Sequence, residues 1–200
     1  MIALEAQKDR AKVDDVIDRN DPNWLRVREL IREHSLTSGH FILSSGRTSK
    51  YLFQLKQTTM LPEGAALIGE IILEYMKANK IACIGGPELG AVPLVSAVAA
   101  VSHLKHAPVD AFFVRKSAKK HGAKEIIDGH LRAEAEVLMV DDVATTGGSI
   151  LKAIEGMGGQ NSNVRHALVV VDREEGAVDN LAEHGIRLAA IFKKSDFPEI

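Results

Sequence analysis

Two adjacent carboxylates precede a short stretch of hydroxyls and glycines in the second half of the chain. Asp141 and Asp142 follow an unbroken apolar run over residues 137–140, and A-T-T-G-G-S follows over residues 144–149. Glycines let a backbone approach a ligand closely, and the free N–H groups of a helix N-terminus favour an anion. Two carboxylates repel a phosphate, so they must face something else, such as vicinal sugar hydroxyls or a divalent cation held by the ligand. The stretch therefore predicts a ribose 5-phosphate site.

Each of these features alone is more often part of a tight strand-to-helix turn capped by Asp, Thr or Ser. Their combination in this order favours a ligand site instead. The stretch is not a G-x-G-x-x-G dinucleotide fingerprint, and it lacks the lysine of a G-x-x-x-x-G-K-[ST] loop.

The elements that position this site are short apolar strands alternating with helices. The run before the acid pair is typical of a strand buried on both faces. Further strands are predicted at residues 81–84, 111–114, 168–171 and 188–192. This alternation predicts an α/β fold with a parallel sheet covered by helices, and ligands outside the carboxyl ends of its strands.

The first sixty residues have a different pattern and predict a small N-terminal lobe. A helix is expected from Asp21-Pro22 to Gly39, because Asp is a good N-cap and Pro is favoured in the first turn. Two strands, at 41–43 and 51–53, are expected to form a hairpin. We expect an arm and hood lobe over residues 1–60 and an α/β core over residues 61–200, within one compact domain. The apolar residues assigned to one helical face are Trp24, Leu25, Val27, Leu30 and Ile31.

A basic run begins where the strand at 111–114 ends. Residues 115–124, R-K-S-A-K-K-H-G-A-K, hold five formal positive charges and one histidine. An isolated charge run is usually a solvated loop. A nucleic-acid patch is a second alternative, although the run has no interleaved aromatic residues to stack bases. Because the run starts on the same rim as the acid pair, the sequence favours a mobile anion-binding lid. The whole segment 115–136 is expected to be a long loop or a hairpin.

Composition excludes several classes of protein. The net charge of −2 provides no global basic field for nucleic acid or membrane. Cys83 is the only cysteine, so no internal disulfide forms and a reducing compartment is expected. The N-terminus lacks the apolar segment of a signal peptide, and the longest mostly apolar run, over 91–101, is too short to span a bilayer. We expect a cytoplasmic enzyme or binding protein with no nucleic-acid or membrane partner.

Several ordered motifs resemble those of one enzyme family. V-L-M-V-D-D-V-A-T-T-G-G-S, over 137–149, resembles the phosphoribosyl pyrophosphate (PRPP) signature of the type I phosphoribosyltransferases. F-F-V-R-K-S-A-K-K-H-G, over 112–122, is similar to the catalytic loop of the orotate phosphoribosyltransferases, and I-I-D-G-H, over 126–130, to the strand that closes it. The turn at 85–90 resembles their pyrophosphate loop, and residues 43–51 resemble their orotate-side hairpin.

The resemblance implies a fold, a reaction and an assembly. It implies a type I phosphoribosyltransferase fold, in which helices flank a central parallel sheet and a small hood lobe covers the site. It implies transfer of the phosphoribosyl group of PRPP to orotate, giving orotidine 5′-monophosphate and pyrophosphate in pyrimidine (UMP) biosynthesis. Mg²⁺ would be carried by PRPP without direct protein ligands. The family also implies a homodimer with shared active sites.

The resemblance also assigns roles to individual residues. The catalytic residues would be Lys119 and His121, reaching in from the neighbouring subunit, with Asp141 and Asp142. Orotate would bind Thr145 and Arg173. The PRPP contacts would be made by Arg115, Lys116, Lys119, His121, Asp141, Asp142, Val143, Ala144, Thr145, Thr146, Gly147, Gly148 and Ser149.

Two departures from the family pattern keep alternatives open. Many members have Lys at the position of Ser44, and some have Lys at the position of Gly90. A phosphoribosyltransferase for another nucleobase is therefore one alternative. A non-enzymatic PRPP-sensing regulator is another, but such a protein should lack the complete lysine-histidine lid that this chain carries. Residues 1–20 carry no pattern that predicts a role.

Overall fold

The computed structural model describes residues 17–42, 48–117, 126–158 and 163–200. The helices in these ranges are α1 (Pro22–His34), α2 (Lys56–Thr59), α3 (Pro62–Ala78), α4 (Ala91–Leu104), α5 (Gly148–Gly156) and α6 (Ala177–Glu183), and a 3₁₀ turn spans Lys194–Asp196. The strands are β1 (Leu36–Ile42), β2 (Thr48–Phe53), β3 (Cys83–Gly85), β4 (Asp110–Val114), β5 (Ile127–Gly129), β6 (Glu136–Ala144), β7 (Asn163–Asp172) and β8 (Arg187–Lys193).

A six-stranded sheet forms the centre of the molecule, with the strand order β5-β4-β3-β6-β7-β8. Strands β3, β4, β6, β7 and β8 are parallel, and β5 runs antiparallel to β4. This confirms the predicted α/β class with a mainly parallel sheet. Parallel strands need crossover connections, and α4, α5 and α6 provide those between β3 and β4, β6 and β7, and β7 and β8.

The middle strand β6 is buried on both faces, as its unbroken apolar run predicted. Leu138 and Val140 belong to one hydrophobic cluster, which includes apolar residues of α1, α3 and α4. Val137 and Met139 belong to a second cluster, which includes apolar residues of α5 and α6. Successive side chains of a strand point to opposite faces of the sheet. The apolar run therefore joins the two layers of the core.

The predicted end of β6 is wrong. The strand continues through the acid pair to Ala144, because β7 pairs with it along this stretch, with Asp141 opposite Val169 and Ala144 opposite Asp172. The sequence suggested an end at residue 140 because charged side chains are rare inside buried strands. Asp141 and Asp142 therefore lie on a fixed, hydrogen-bonded backbone.

The helix of the N-terminal lobe begins as predicted and ends earlier. The Asp21 Oδ1 accepts a hydrogen bond from Asn23 N at 2.7 Å, which caps α1. Leu25 is 47% exposed and so lies off the buried face, which the other four predicted residues form. The helix ends at His34, and Gly39 lies within β1 instead of closing the helix.

The hairpin of strands β1 and β2 is a separate two-stranded sheet that packs on the core. Tyr51 and Phe53 of β2 share one hydrophobic cluster with Ile191, Phe192 and Phe197 of the C-terminal segment. The hairpin and the core are therefore packed together. The division of the chain into residues 1–60 and 61–200 stays a prediction.

The segment after β4 returns as a hairpin, one of the two predicted alternatives. Strand β5 pairs antiparallel with β4, and Phe112 lies opposite Gly129. Across the described part of the chain, no helix has both the length and the apolar composition needed to cross a membrane.

Candidate active site

Asp141 and Asp142 lie on β6 at the carboxyl edge of the sheet. The carboxylates turn back on the strand, since Asp141 Oδ1 accepts Asp142 N and Asp142 Oδ1 accepts Val143 N, both at 2.9 Å. Asp141 is only 7% exposed. Its burial, and then the neighbouring charge of Asp142, raise the pKa of Asp141 to about 7. The pair is therefore a partly desolvated acid site rather than two solvated surface carboxylates.

The loop over residues 86–90 packs directly on this pair. A Cβ built on Gly90 would lie 2.4 Å from Asp141 Oδ1 and 2.5 Å from Asp142 Oδ1. Real Cβ atoms do not approach other atoms this closely, so only glycine fits while the two carboxylates keep their places. The lysine that some family members carry at this position is thus excluded from this arrangement.

A tight turn joins β6 to α5 and holds the predicted phosphate loop. Gly147 has a φ of 76° and is the N-cap of α5. Its missing side chain leaves room for Leu181 of α6, whose Cγ would lie 2.9 Å from a Cβ at this position. Asn180, also on α6, donates from Nδ2 to the Thr146 carbonyl oxygen at 2.6 Å. The N-terminus of α5 therefore lies at the edge of the sheet, and α6 contacts the loop before it through Asn180 and Leu181.

Arg173 follows β7 and faces the N-terminal hairpin. Its backbone N–H donates to the Ala144 carbonyl at 3.0 Å, which sets the residue beside the phosphate loop. The guanidinium carbon lies 4.6 Å from the centroid of the Tyr51 ring, and Nη2 lies 3.4 Å from Ser49 Oγ. Nε donates to Glu175 at 2.8 Å. The Arg173 side chain is only 6% exposed, so its guanidinium is largely shielded from solvent while it pairs with Glu175.

The base of the basic run is tied to the loop over 86–90. Lys116 N donates to Glu88 Oε1 at 2.7 Å, and Arg115 N donates to the Ile126 carbonyl at 2.8 Å. Arg115 Nη1 pairs with Asp128 at 2.9 Å. Arg115 and Lys116, where the predicted lid begins, therefore lie next to the predicted pyrophosphate loop, and Ile126 is hydrogen-bonded to Arg115.

Some predicted site residues lie outside the described residues. Lys119 and His121 do, as does Ser44. The described residues bring together the acid pair, the phosphate loop, Arg173 and the base of the basic run. Thr145, which the resemblance gives to both PRPP and orotate, lies at the start of the phosphate loop, one residue after β6.

Three side chains that hold the site together were not predicted from the sequence. Lys56 pairs with Asp142 across 86 positions of sequence, and Glu88 and Asn180 anchor backbone groups of two different loops. Each contact joins segments that are distant in sequence. Residue type and local spacing therefore give no signal for these three residues.

Within the described ranges, no three His, Cys, Asp or Glu side chains converge in a way that could hold a metal ion. Magnesium usually keeps several waters and binds through one or two carboxylates together with substrate phosphates.

The comparisons with known proteins agree with this geometry. The "Phosphoribosyl transferase domain" family matches residues 54–184. The orotate phosphoribosyltransferase of Rhodopseudomonas palustris strain BisB5 is 43% identical over 176 residues, which cover 86% of this chain and 94% of that protein. The chain belongs to the orotate phosphoribosyltransferase family.

Further relatives extend this assignment. The orotate phosphoribosyltransferase of Bradyrhizobium sp. strain BTAi1 is 44% identical over 176 residues, with 86% of this chain and 95% of that protein covered. Among solved structures, the orotate phosphoribosyltransferase of Mycobacterium tuberculosis in complex with PRPP aligns with a TM-score of 0.73 at 31% identity. That alignment covers 88% of this chain and 98% of the other. The predicted type I phosphoribosyltransferase fold is thereby confirmed.

Proposed function

We propose that this protein is an orotate phosphoribosyltransferase, which converts orotate and PRPP into orotidine 5′-monophosphate and pyrophosphate in pyrimidine biosynthesis. One observation carries the proposal. The acid pair of buried Asp141 and partly buried Asp142, the glycine-rich helix N-terminus and Arg173 converge at the carboxyl edge of the adjacent strands β6 and β7. This edge is where open α/β sheets bind ligands. Its groups suit a diol, a phosphate and a planar carboxylate.

The ribose of PRPP is assigned to the acid pair. Breaking the bond at the anomeric carbon builds positive charge on the ribose ring. Asp141 and Asp142 would accept hydrogen bonds from the ribose hydroxyls and favour the cationic ring. Because interactions that strengthen in the transition state accelerate a reaction, these carboxylates are proposed as catalytic residues. The 5′-phosphate would bind the N–H groups and hydroxyls of residues 145–149.

Pyrophosphate is the leaving group and carries the negative charge that develops. We assign its stabilisation to Arg115 and Lys116 and, from the family resemblance, to Lys119 and His121 of the neighbouring subunit. Positive groups aimed at developing charge in a water-poor site contribute strongly to catalysis. Mg²⁺ carried by PRPP would supply further neutralisation of the phosphates.

Orotate is assigned to the space between Arg173 and Thr145. A guanidinium donates two parallel hydrogen bonds to a planar carboxylate. Tyr51 stacks on Arg173 and would orient that group. Burial raises the pKa of the Tyr51 hydroxyl, with Arg173 acting in the opposite direction, so Tyr51 stays neutral at physiological pH.

The proposal includes an assembly and a location. We propose that the protein is a cytoplasmic homodimer with shared active sites. In this dimer, the basic run of each subunit would contribute to the active site of the other. Its partners are the small molecules PRPP and orotate, with no nucleic acid and no membrane.

The experiment is a substrate panel with purified protein, PRPP and Mg²⁺. We expect orotate to be consumed, observed as loss of its ultraviolet absorbance, while hypoxanthine, guanine and uracil are unchanged. The reason is that only orotate has the carboxylate that Arg173 is proposed to bind. Turnover of a purine without turnover of orotate would reject the assignment. Binding of PRPP without turnover of any base would instead favour the regulator.

A further inference from the structure

A lysine of the N-terminal segment reaches the acid pair. The Nζ of Lys56, the first residue of α2, lies 3.0 Å from Asp142 Oδ2. The Lys56 side chain is 48% exposed, whereas that of Asp142 is 15% exposed. The ammonium therefore lies at the mouth of the site and the carboxylate lies inside it.

The backbone that carries Lys56 is fixed from several directions. Leu55 is 1% exposed, and Thr58 is fully buried. The Thr58 hydroxyl donates to the Leu30 carbonyl at 3.2 Å and lies 2.7 Å from Ser35 Oγ. α2 is thus held against the C-terminal end of α1. Only the long side chain of Lys56 is free to adjust its reach.

Gly90 contributes no side chain, and so no charge, next to the acid pair. Gly90 packs on both carboxylates so closely that a Cβ there would lie within 2.5 Å of each. Of the residues that the structure describes, Lys56 is the basic side chain in ion-pair contact with either acid. The positive charge beside the pair therefore comes from α2 and not from the loop over 86–90.

We propose that Lys56 is a further residue of the PRPP site, a positioning residue that holds the Asp142 carboxylate and offsets the negative charge of the acid pair. This inference rests on the proposed function and deepens it. PRPP carries several negative charges, and two carboxylates beside it oppose its entry. An ammonium on a flexible four-carbon stem is a compact charge that can follow the ligand. Burial, and then the charge of Asp142, raise the pKa of Asp141, and Lys56 acts in the opposite direction.

The test separates the charge of the side chain at position 56 from its length. Lys56→Met keeps the stem and removes the charge, and Lys56→Arg keeps the charge. The measurements are the Kd for PRPP with Mg²⁺ by calorimetry, and kcat and KM with orotate. We expect Lys56→Met to raise the Kd by about tenfold or more, as for a lost charge-assisted contact. We also expect kcat to fall, since Asp142 loses its anchor, and Lys56→Arg to restore both to within about threefold.

A matched control is available on α3. Lys77 is 41% exposed and pairs with Glu74 at 2.8 Å, a comparable ion pair outside the site. Lys77→Met should bind PRPP as the wild type does. A Lys56→Met protein with the Kd and kcat of Lys77→Met would overturn the inference, and Lys56→Gln repeats the comparison should the Met variant fail to fold.

A double-mutant cycle tests whether Lys56 acts through Asp142. The effects of Lys56→Met and Asp142→Asn should be strongly non-additive, because both remove the same contact. Additive effects would overturn the positioning role. The PRPP titration needs no base, so its result is separate from the orotate assay. Wild-type protein that binds PRPP without consuming orotate would reject the orotate assignment and leave the Lys56 comparison intact.

Discussion

At the scale of single residues, the acid pair combines two opposing requirements. A carboxylate that stabilises a cationic sugar ring is most effective where water is excluded. The same exclusion makes the ionised carboxylate costly in the empty protein. Asp141 meets both conditions, since it is nearly buried and lies beside a second carboxylate. Lys56 and the backbone N–H of Asp142 offset part of this cost.

This cost predicts how the stability of an Asp141→Asn variant depends on pH. The pKa of Asp141 is raised in the folded state, so its neutral form stabilises the fold below the ordinary pKa near 4, and this stability is lost as pH rises through about 7. We expect Asp141→Asn and wild type to have similar Tm values near pH 4. Above pH 7 the variant should be more stable, by up to about 4 kcal/mol. Thermal unfolding without ligands, between pH 4 and pH 8.5, measures this.

The same variant should lose activity while it gains stability. We expect turnover to fall by orders of magnitude, and further in a double variant with Asp142→Asn, because the stabilisation of the ring cation is lost. Glu74→Gln, which removes a carboxylate outside the site, is the control. Near-normal turnover of the double variant, or a Tm difference that does not change with pH, would show that the pair is structural.

At the scale of elements, α6 supports the phosphate loop. Asn180 and Leu181 lie on successive positions of this helix, and one holds the Thr146 carbonyl while the other fills the space beside Gly147. A loop that binds a phosphate through its backbone needs such support, because its own short side chains cannot fix the backbone. We therefore propose that α6 supports substrate binding indirectly, by fixing the backbone of the phosphate loop.

Replacing Asn180 tests this support. Asn180→Ala removes one hydrogen bond, which contributes about 1 kcal/mol, so we expect the KM for PRPP to rise about fivefold. kcat should stay nearly constant, because the 5′-phosphate is bound alike in the ground and transition states. Asn180→Asp should have at least as large an effect, since a carboxylate repels the carbonyl oxygen. Glu183→Gln, at an exposed position of the same helix, is the control, and an equal rise in KM for this variant would exclude a specific role for Asn180.

The success of sequence-based prediction also differs between elements. The apolar run of β6, the cap of α1 and the alternation of apolar strands with helices are local patterns, and the structure confirms the elements that they predicted. The end of β6 was missed because pairing with β7 outweighs the unfavourable charge of the acid pair within a strand. Lys56, Glu88 and Asn180 could not be found, because their partners come near them only in the folded chain.

At the scale of the whole molecule, the site is assembled from distant segments. The hairpin contributes Tyr51 and Ser49 to the surroundings of Arg173, and α2 contributes Lys56 to the acid pair. The central sheet contributes the acids and the phosphate loop. The basic run begins at the end of β4, two strands from β6 in the sheet order, and its base is tied to the loop over 86–90. Lys119 and His121 lie outside the described residues, so their roles rest on the family resemblance.

The resemblance gives Lys119 to the site of the neighbouring subunit, which predicts complementation between two inactive variants. Lys119→Ala should lower kcat far more than it weakens PRPP binding, because its ammonium meets the pyrophosphate most closely as charge develops. Arg173→Ala should damage the orotate pocket of its own subunit. In a mixed dimer, one site lacks both residues and the other has both. Equal mixing with random exchange makes about half of the dimers mixed, so about a quarter of the wild-type activity should return.

The exchange itself must be measured for this prediction to be decisive. Native mass spectrometry of differently tagged subunits would count the mixed dimers, and the orotate absorbance assay would follow activity over the same time. Activity that rises in proportion to the mixed dimers requires Lys119 to act across the interface. If mixed dimers form and activity does not return, then Lys119 and Arg173 serve the same subunit's site, or the basic run has no catalytic role. A protein that remains monomeric at catalytic concentrations while it turns over orotate would exclude shared sites altogether.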